Sequence, residues 1–277
     1  DIIPYGKHYV DEDDIEAVTN TLRGNYLTQG PLIKDFENAI SKYVGSKYAV
    51  AVSSCTAGLH IACQSLGINS ESIVGCPTNS FVSTANCASF LGAKIEFFDI
   101  DLDSLNISID KLEEYLSKGN HLDLVVAVHF AGFPVELERL ASLSSKYGFR
   151  ILEDAAHALG SENIKGRRIG CCDFSDISVF SLHPVKSIAA GEGGVITTNN
   201  EEIYMNLLRL RSHGINKGSE ELINEEYAFT DGNKNLWYYE MKELGYHYRI
   251  TDIQCALALS QLKKLKKFIL LVSVVLA

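Results

Sequence analysis

The sequence has no surplus of positive charge. Its 25 lysines and arginines stand against 35 aspartates and glutamates, which gives a formal net charge of −10. A surface that binds nucleic acid needs a basic face, so this composition argues against nucleic acid as a partner. It leaves room for a local basic pocket that takes a phosphorylated ligand.

The cysteines lack the spacing of a metal site or a disulfide framework. None of the seven forms a C-x-x-C pair, and no second half of a zinc-ligand pattern is present. The N-terminal residues contain no apolar run of the kind found in secretory signals. We therefore expect a cytoplasmic protein with no metal and with reduced, mostly buried thiols. The seven are Cys55, Cys63, Cys76, Cys87, Cys171, Cys172 and Cys255.

No apolar run is long enough to cross a bilayer, and no internal repeat or low-complexity linker divides the chain. The most apolar stretch runs from Phe268 to Ala277 and is well short of the roughly 20 residues that a spanning helix needs. It follows a basic amphipathic helix, "QLKKLKK". We expect a buried helix or an aberrant tail here rather than a membrane anchor.

Strand-like apolar runs alternate with segments of helical periodicity along the chain. The seven strand-like runs are YAVAVSS, SIVGCPT, KIEFFDID, LDLVVAVHF, FRILED, DISVFSL and GGVITT. Continuous apolar strands separated by helices predict an α/β fold with a mainly parallel sheet covered on both faces. Ligands of such sheets bind beyond the carboxyl ends of the strands, so the residues that follow each strand are the candidates for a site.

The first of four such strand ends is "SSCTAG", from Ser53 to Gly58. Small and hydroxyl-bearing residues at the start of a helix leave backbone N–H groups free for a phosphate. The alternative is simple N-capping of the helix by Ser53 or Ser54.

Two more strand ends carry a carboxylate and an aromatic ring. Asp154 closes an otherwise apolar strand in "LEDAAHALG", with His157 three residues later. A buried carboxylate needs a positive or hydrogen-bonding partner, although an N-cap aspartate would also fit the pattern. Phe81 in "NSFVSTANC" would cover a flat ligand or pack in the core.

The fourth strand end is "FSLHPVKSIAAGEGG", in which Ser181 and Lys186 follow the strand and Pro184 restricts the turn between them. A lysine on such a turn is by itself most often a surface charge. Together, however, the four strand ends suit one ligand with a phosphate, a flat ring, a cationic nitrogen and a carbon that reacts with an amine. Pyridoxal 5'-phosphate (PLP) has all four, and it forms a Schiff base with a lysine.

Several collinear motifs resemble the DegT/DnrJ/EryC1/StrS family of sugar aminotransferases over nearly the whole chain, to about Lys267. They are YLTQGPLIKDFE, SSCTAGLH, NSFVSTANC, VVAVHFAGFP, EDAAHALG, FSLHPVKSIAAGEGG, LRLRSHGI and GYHYRITDIQCALALSQLKKL. The resemblance is greatest to the enzymes of pseudaminic-acid biosynthesis. It implies a three-layer α/β/α fold of the aspartate aminotransferase type, with a mainly parallel seven-stranded sheet. It also implies transfer of an amino group from glutamate to C4 of a UDP-linked 4-keto-6-deoxy-N-acetyl-hexosamine.

The resemblance also assigns roles to individual residues. Lys186 would hold the cofactor and shuttle the proton, Asp154 would bind the pyridine nitrogen, and His157 would lie near the phenolic oxygen. Phe81 would stack on the ring. Cys55, Thr56, Ala57 and Ser181 would lie at the phosphate, with Cys55 and Ser181 also near the substrate. Residues expected to face the sugar nucleotide are Tyr5, Asn25, Tyr26, Leu27 and Thr28.

The chain departs from the family in two places. His247 stands where the family often has an asparagine that reaches the cofactor phosphate and substrate of a partner subunit, so a homodimer with shared active sites is implied. After "KKLKKF" the resemblance ends, where relatives continue into a small domain. We therefore expect a large domain with its N-terminal segment over residues 1–250. Residues 251–277 would form the start of the helix that leads to a largely missing small domain.

That switch to an apolar tail is typical of a frameshift or truncation, and it leaves two alternatives open. One is a catalytically impaired or inactive homologue that keeps only the large-domain fold. The other is a regulatory homologue, against which the acidic charge and the lack of a DNA-binding segment argue.

Overall fold

A central sheet organises the computed structural model, which describes residues 6–216 and 222–276. Its strands are β1 (Tyr48–Val52), β2 (Ile73–Pro77), β3 (Lys94–Phe98), β4 (Leu124–Val128), β5 (Arg150–Asp154), β6 (Ile177–Ser181) and β7 (Gly194–Thr198). The spatial order is β1-β7-β6-β5-β4-β2-β3. Only β7 runs antiparallel to its neighbours β1 and β6. The predicted seven strands and the mainly parallel sheet are confirmed.

The helices connect these strands and end at recognisable caps. They are α1 (Glu12–Arg23), α2 (Pro31–Val44), α3 (Cys55–Ser65), α4 (Ser83–Ser89), α5 (Ile109–Ser117), α6 (Leu137–Tyr147), α7 (Glu201–Arg211), α8 (Glu225–Ala228) and α9 (Asp252–Leu276), with a short 3-10 turn at Phe130–Gly132. The Ser54, Ser108 and Asn200 side chains cap α3, α5 and α7 by accepting backbone N–H bonds. Gly45 and Gly148 end α2 and α6 in the left-handed conformation that glycine adopts without cost.

Two apolar cores lie on opposite faces of the sheet. One contains Phe36 and Ile40 of α2 with Leu112 of α5 and Leu140 of α6. The other contains Leu59 and Ile61 of α3 and Leu207 of α7. Because both faces are covered, all five residues of β4, β6 and β7 are buried, which explains why these strands contain no charged residue. The predicted three-layer α/β/α architecture is confirmed.

Helix α9 packs against α1 and α2 and begins at Asp252, one residue after the start of the predicted second region. The Asp252 carboxylate accepts the N–H groups of Gly30 and Leu32 at 2.7 and 3.1 Å, which joins the start of α9 to the start of α2. Farther along α9, the Phe268 ring meets Tyr9 edge-on at 5.8 Å. The division into domains itself stays a prediction. Among the residues that the structure describes, no helix is long and apolar enough to cross a membrane.

The remaining elements are short and lie between α7 and α9. They are β8 (Ile215–Asn216), β9 (Phe229–Thr230), β10 (Asn233–Lys234) and β11 (Glu240–Met241), together with α8. They form two small two-stranded sheets outside the central one. We refer to residues 222–245 as the exposed segment, because most of its large apolar side chains are open to solvent.

The cysteines carry free thiols, and six of the seven are buried, as the sequence predicted. Over residues 6–216 and 222–276, no group of three or more His, Cys, Asp or Glu side chains has the arrangement of a metal site.

Candidate active site

The sheet places three of the predicted strand ends at one edge. In the strand register Ser181 of β6 lies opposite Gly194 of β7, and Gly194 lies opposite Val52 of β1. Asp154 at the end of β5 pairs with Val179, two residues before Ser181. The carboxyl ends of β1, β5 and β6 therefore meet at the same edge, although their residues lie far apart in the sequence.

Gly194 allows β7 to lie directly against the start of α3. A Cβ atom at this position would be 2.7 Å from the backbone nitrogen of Cys55 and from the carbonyl group of Ser54. No side chain fits in that space. The first glycines after Lys186 thus form the turn into β7, and Gly194 brings Ser181 next to the first turn of α3.

The first turn of α3 presents free backbone donors. The Ser54 hydroxyl accepts the N–H of Ala57 at 3.1 Å, so Ser54 is the N-cap. The N–H groups of Cys55 and Thr56 precede the first intrahelical hydrogen bond and have no carbonyl acceptor within the helix. The two readings of "SSCTAG" are therefore compatible, because the cap leaves an anion-binding pair of N–H groups beside it.

Asp154 is 4% exposed and is held by two hydrogen bonds. The Thr84 hydroxyl donates to Oδ2 at 2.7 Å, and the Ala156 N–H donates to Oδ1 at 3.2 Å. A carboxylate has about four lone-pair positions, so acceptor capacity remains for a ligand. Thr84 was not predicted from the sequence. Its position one helical turn after Phe81 is the signal that could have indicated it.

Lys186 lies on a turn after β6, where its N–H donates to the His183 carbonyl at 2.9 Å. The side chain is half-buried rather than a free surface charge. Burial lowers the pKa of the Lys186 ammonium below its ordinary value, while nearby Cys55 and Asp154 oppose that shift. Burial, and after it the Asp154 charge, raises the pKa of the Cys55 thiol well above normal, while the Lys186 charge lowers it. Lys186, Asp154 and Cys55 are thus close enough for their charges to interact.

His157 joins this group from the segment that follows β5. Burial lowers the pKa of its imidazole, and the Lys186 charge lowers it further, while Asp154 raises it. His157 and Lys186 both line a cavity of about 730 Å³ that extends to the N-terminal segment and to α9. Its described lining contains no carboxylate and has five basic side chains: Lys7, His8, His157, Lys186 and Lys267. In a chain with a net charge of −10, this is the local basic pocket that the composition left room for.

Phe81 is 72% exposed, so the alternative of core packing is wrong for this ring. Its carbonyl accepts the N–H of Thr84 at 3.0 Å, which fixes Phe81 one turn from the residue that bonds Asp154. The ring is therefore free to cover a ligand near Asp154.

The residues expected to face a sugar nucleotide do not all lie in the cavity that contains Lys186. Asn25 and Tyr26 line a second cavity of about 630 Å³ between α1, α2 and α9, which does not include Lys186. Thr28 bridges to Thr251 just before α9, and Gln254 of α9 donates to the Glu192 carbonyl in the glycine-rich turn at 2.7 Å. Leu27 is 49% exposed. Tyr5 lies outside the described residues.

His247 is exposed and its ring lies 5.3 Å from that of His213, edge to face. Its neighbour Tyr248 accepts the N–H of Ser53 at 2.9 Å, so the segment passes the end of β1. The ring contact of His247 is with His213 rather than with Asp154 or Lys186 of the same chain. A role toward a partner subunit stays a prediction.

Relatives of known sequence cover nearly all of this chain. It is 40% identical over 265 residues to the UDP-4-amino-4,6-dideoxy-N-acetyl-beta-L-altrosamine transaminase of Campylobacter jejuni, covering 95% of this chain and 65% of that protein. It is 36% identical to the spore coat polysaccharide biosynthesis protein SpsC of Bacillus subtilis, with coverage of 95% and 64%. The chain thus spans just under two thirds of the length of these relatives.

Solved structures match the fold as well. PseC of Helicobacter pylori, an aminotransferase involved in the biosynthesis of pseudoaminic acid, superposes with a TM-score of 0.83 at 31% identity, covering 96% of this chain and 67% of that one. The PLP form of Spr1654 from Streptococcus pneumoniae gives a TM-score of 0.81 at 25% identity, with coverage of 96% and 67%. The model of the DegT/DnrJ/EryC1/StrS aminotransferase family matches residues 8–271, and the chain therefore belongs to that family, as its motifs predicted.

Proposed function

We propose that this chain is the cofactor-binding part of a PLP-dependent aminotransferase. It would transfer the amino group of glutamate to C4 of a UDP-linked 4-keto-6-deoxy-N-acetyl-hexosamine. The observation that carries the proposal is the convergence of Lys186, Asp154 and the first turn of α3 at one edge of the sheet. The chain's similarity to the Campylobacter jejuni transaminase supports the choice of sugar.

PLP is the cofactor of aminotransferases of this family, and the residues of this chain fit it. The buried Asp154 carboxylate retains acceptor capacity for a pyridinium N–H, and the free N–H groups at Cys55 and Thr56 suit a phosphate. When bound, PLP withdraws electrons from the substrate carbon so that a proton can be moved there.

Each residue would have a separate task in this site. Asp154 keeps the pyridine nitrogen protonated, because Thr84 and Ala156 hold its carboxylate in place. Lys186 supplies the amine, and its lowered pKa increases the fraction of free base that can attack or take up a proton. Ser181 completes the phosphate end beside Ala57, whose own N–H bonds the Ser54 cap, while Phe81 covers the ring. His157 donates a hydrogen bond at the phenolic oxygen.

The basic cavity beside Lys186 favours an anionic substrate. Both a nucleotide sugar and glutamate carry negative charge, and no carboxylate in the described lining would repel them. Cys55 and Ser181 would lie closest to the sugar. Tyr5 and the loop of Asn25, Tyr26, Leu27 and Thr28 would face the nucleotide.

We further propose a homodimer with shared active sites, in which His247 of one subunit reaches the cofactor phosphate and substrate of the other. The exposed segment supports this assembly, because Leu236, Trp237 and Leu244 are 95%, 70% and 73% exposed. Free thiols throughout the described chain support a cytoplasmic location, where disulfides are rare.

Cofactor attachment is the direct test. The purified chain mixed with PLP should gain an absorbance band near the edge of the visible range. After borohydride reduction, the added mass should remain on the peptide that contains Lys186. Lys186→Ala should lose the band and the mass, whereas Lys111→Ala, a surface lysine paired with Glu114, should keep both. An unchanged band in Lys186→Ala would overturn the assignment.

Turnover separates the proposal from the alternative of an inactive homologue. With glutamate and a small panel of UDP-linked keto sugars, an active chain releases 2-oxoglutarate. Attachment of PLP at Lys186 without 2-oxoglutarate release would favour the impaired homologue that keeps only the large-domain fold.

A further inference from the structure

A buried ionisable pair lies directly behind the proposed site and has no role in the chemistry described above. His129 follows β4 and is 0% exposed, while Glu153 of β5 is 1% exposed. His129 Nε2 and Glu153 Oε2 are 2.8 Å apart. Glu153 immediately precedes Asp154, and alternate residues of a strand point to opposite faces of a sheet. The two carboxylates therefore serve different sides of β5.

The contacts of the His129–Glu153 pair determine its protonation. The Val135 N–H donates to His129 Nδ1 at 3.1 Å, so Nδ1 is an acceptor and carries no proton. The ring proton is then on Nε2, which donates it to Glu153. The Ser175 hydroxyl donates to the second oxygen of Glu153. A neutral imidazole thus connects a buried carboxylate to the backbone of a loop.

That loop contains a turn that needs to be held. Ala131 and Gly132 of the 3-10 turn Phe130–Gly132, which we call the 130–132 turn, have φ values of 51° and 85°. A residue with a Cβ adopts this left-handed conformation only at a cost, and it persists where surrounding contacts impose it. His129 provides one such contact through Val135. Asn106, which is 3% exposed, provides another by accepting the Phe130 N–H at 2.9 Å.

The 130–132 turn packs directly against the proposed site. A Cβ atom on Gly132 would lie 2.9 Å from the His157 carbonyl oxygen, so the two backbones are in contact. The rings of Phe130 and His157 meet edge to face at 6.5 Å. Ala131 and Gly132 line the same cavity as Lys186. The His129 N–H also donates to the Asp154 carbonyl at 3.2 Å.

We propose that His129 and Glu153 are positioning residues for the proposed reaction. Glu153 fixes the ring of His129, His129 holds the 130–132 turn, and the turn supports the backbone at His157 and Asp154. Neither side chain touches the cofactor or the substrate. The effect on cofactor binding rests on the proposed function, whereas the effect on the turn does not depend on it.

Three variants separate positioning from general stability. His129→Gln keeps a donor for Glu153 and removes the acceptor of the Val135 N–H, so the buried carboxylate is not left unpaired. Glu153→Gln keeps a side-chain oxygen that accepts the His129 proton. His60→Gln is the matched control, because His60 is also a buried histidine whose Nδ1 contacts one group, the Tyr248 hydroxyl at 3.1 Å.

The first readout is amide hydrogen exchange over residues 129–136 in the protein without PLP. We expect His129→Gln to speed exchange there about tenfold, the size of effect expected when a buried N–H loses its acceptor. The exchange rate in Glu153→Gln should stay within about twofold of wild type, because the amide oxygen still accepts the His129 Nε2–H and keeps the ring in place. His60→Gln should leave this segment unchanged. Equal exchange in His129→Gln and wild type would overturn the proposal.

The second readout is PLP affinity, measured by titration of the absorbance band in folded protein. His129→Gln should weaken binding about tenfold, and both Glu153→Gln and His60→Gln should bind within about twofold of wild type. Faster exchange with unchanged PLP affinity would reduce the pair to a structural role and overturn the positioning claim. If wild type itself fails to bind PLP, the proposed function fails, while the exchange result still tests whether His129 holds the turn.

Discussion

The strand-edge site and the exposed segment differ in what holds their side chains. At the strand edge, Asp154 is buried and bonded to Thr84, and Ser181 is fixed by its register with Gly194. In the exposed segment, Trp237 and Leu244 extend into solvent from turns and loops outside the two-residue strands. The side chains of the strand edge are held by contacts within a single chain. The exposed segment presents apolar surface whose burial requires a partner.

The difference shows how local chemistry depends on packing. A carboxylate removed from water costs free energy unless it is hydrogen-bonded, and the sheet supplies those bonds at Asp154. His247 has no comparable support, because it lies exposed beside His213. Roles at the strand edge can therefore be argued from one chain, whereas the role of His247 depends on a second subunit.

The largest effect is expected from Asp154→Asn. A neutral amide cannot stabilise a positive charge on the cofactor, so turnover should fall about 10- to 100-fold, which corresponds to the roughly 1.5–3 kcal/mol of a charge-assisted hydrogen bond. The apo protein should be no less stable, because removal of a buried charge offsets the altered bond to Thr84. Steady-state kinetics and thermal unfolding measure the two effects. Loss of folding without loss of turnover per folded molecule would contradict this account of the strand edge.

An intermediate effect is expected from Trp237→Ser combined with Leu244→Ser. Since both side chains are exposed, the free energy of unfolding of the chain should change by no more than about 0.5 kcal/mol per site. If these side chains are buried between subunits, the dissociation constant of the dimer, measured by sedimentation, should rise at least about tenfold. An unchanged dimer would show that the exposed segment is not the interface, and His247 would then lose its proposed role.

The smallest effect concerns pH and Glu240 in the exposed segment. The N–H groups of Ile223 and Asn224 donate to its carboxylate at 2.8 Å each and lower its pKa from 4.5 to about 2. Because the folded pKa is depressed, the stabilisation is present above pH 4.5 and is lost as pH falls toward 2.

Hydrogen exchange around Ile223 measures this effect. It should quicken between pH 4.5 and 2 after correction for intrinsic rates, and Glu240→Gln should show a smaller change over that range. The start of the exposed segment would then be held by the charged Glu240 carboxylate, whereas sheet register and buried hydrogen bonds hold the strand edge. An equal pH dependence in wild type and Glu240→Gln would contradict the assignment.

The fold was largely predictable because its signals are local. Apolar runs, their spacing from helical segments and capping residues such as Ser108 lie within a few positions of the elements they specify. Lys186 and Asp154 could be named because each follows a predicted strand. Thr84 was not named, since its hydrogen bond to Asp154 joins residues 70 positions apart and its spacing from Phe81 was the one local signal. The core-packing alternative for Phe81 was wrong, because the folded chain places the residues just before α4 so that this ring faces solvent.

The sequence by itself determined the order of strands and helices, the membership in the aminotransferase family and the identity of the residues that would carry the chemistry. The order of elements follows from residue type and periodicity along the chain, whereas the family and the residue roles rest on the resemblance of its motifs. Tertiary structure decided which strand ends meet, that Gly194 brings β7 against α3, and that His129 and Glu153 form a buried pair behind Asp154. The reason is physical: register and packing bring together side chains from distant parts of the chain, and only the folded sheet fixes those distances.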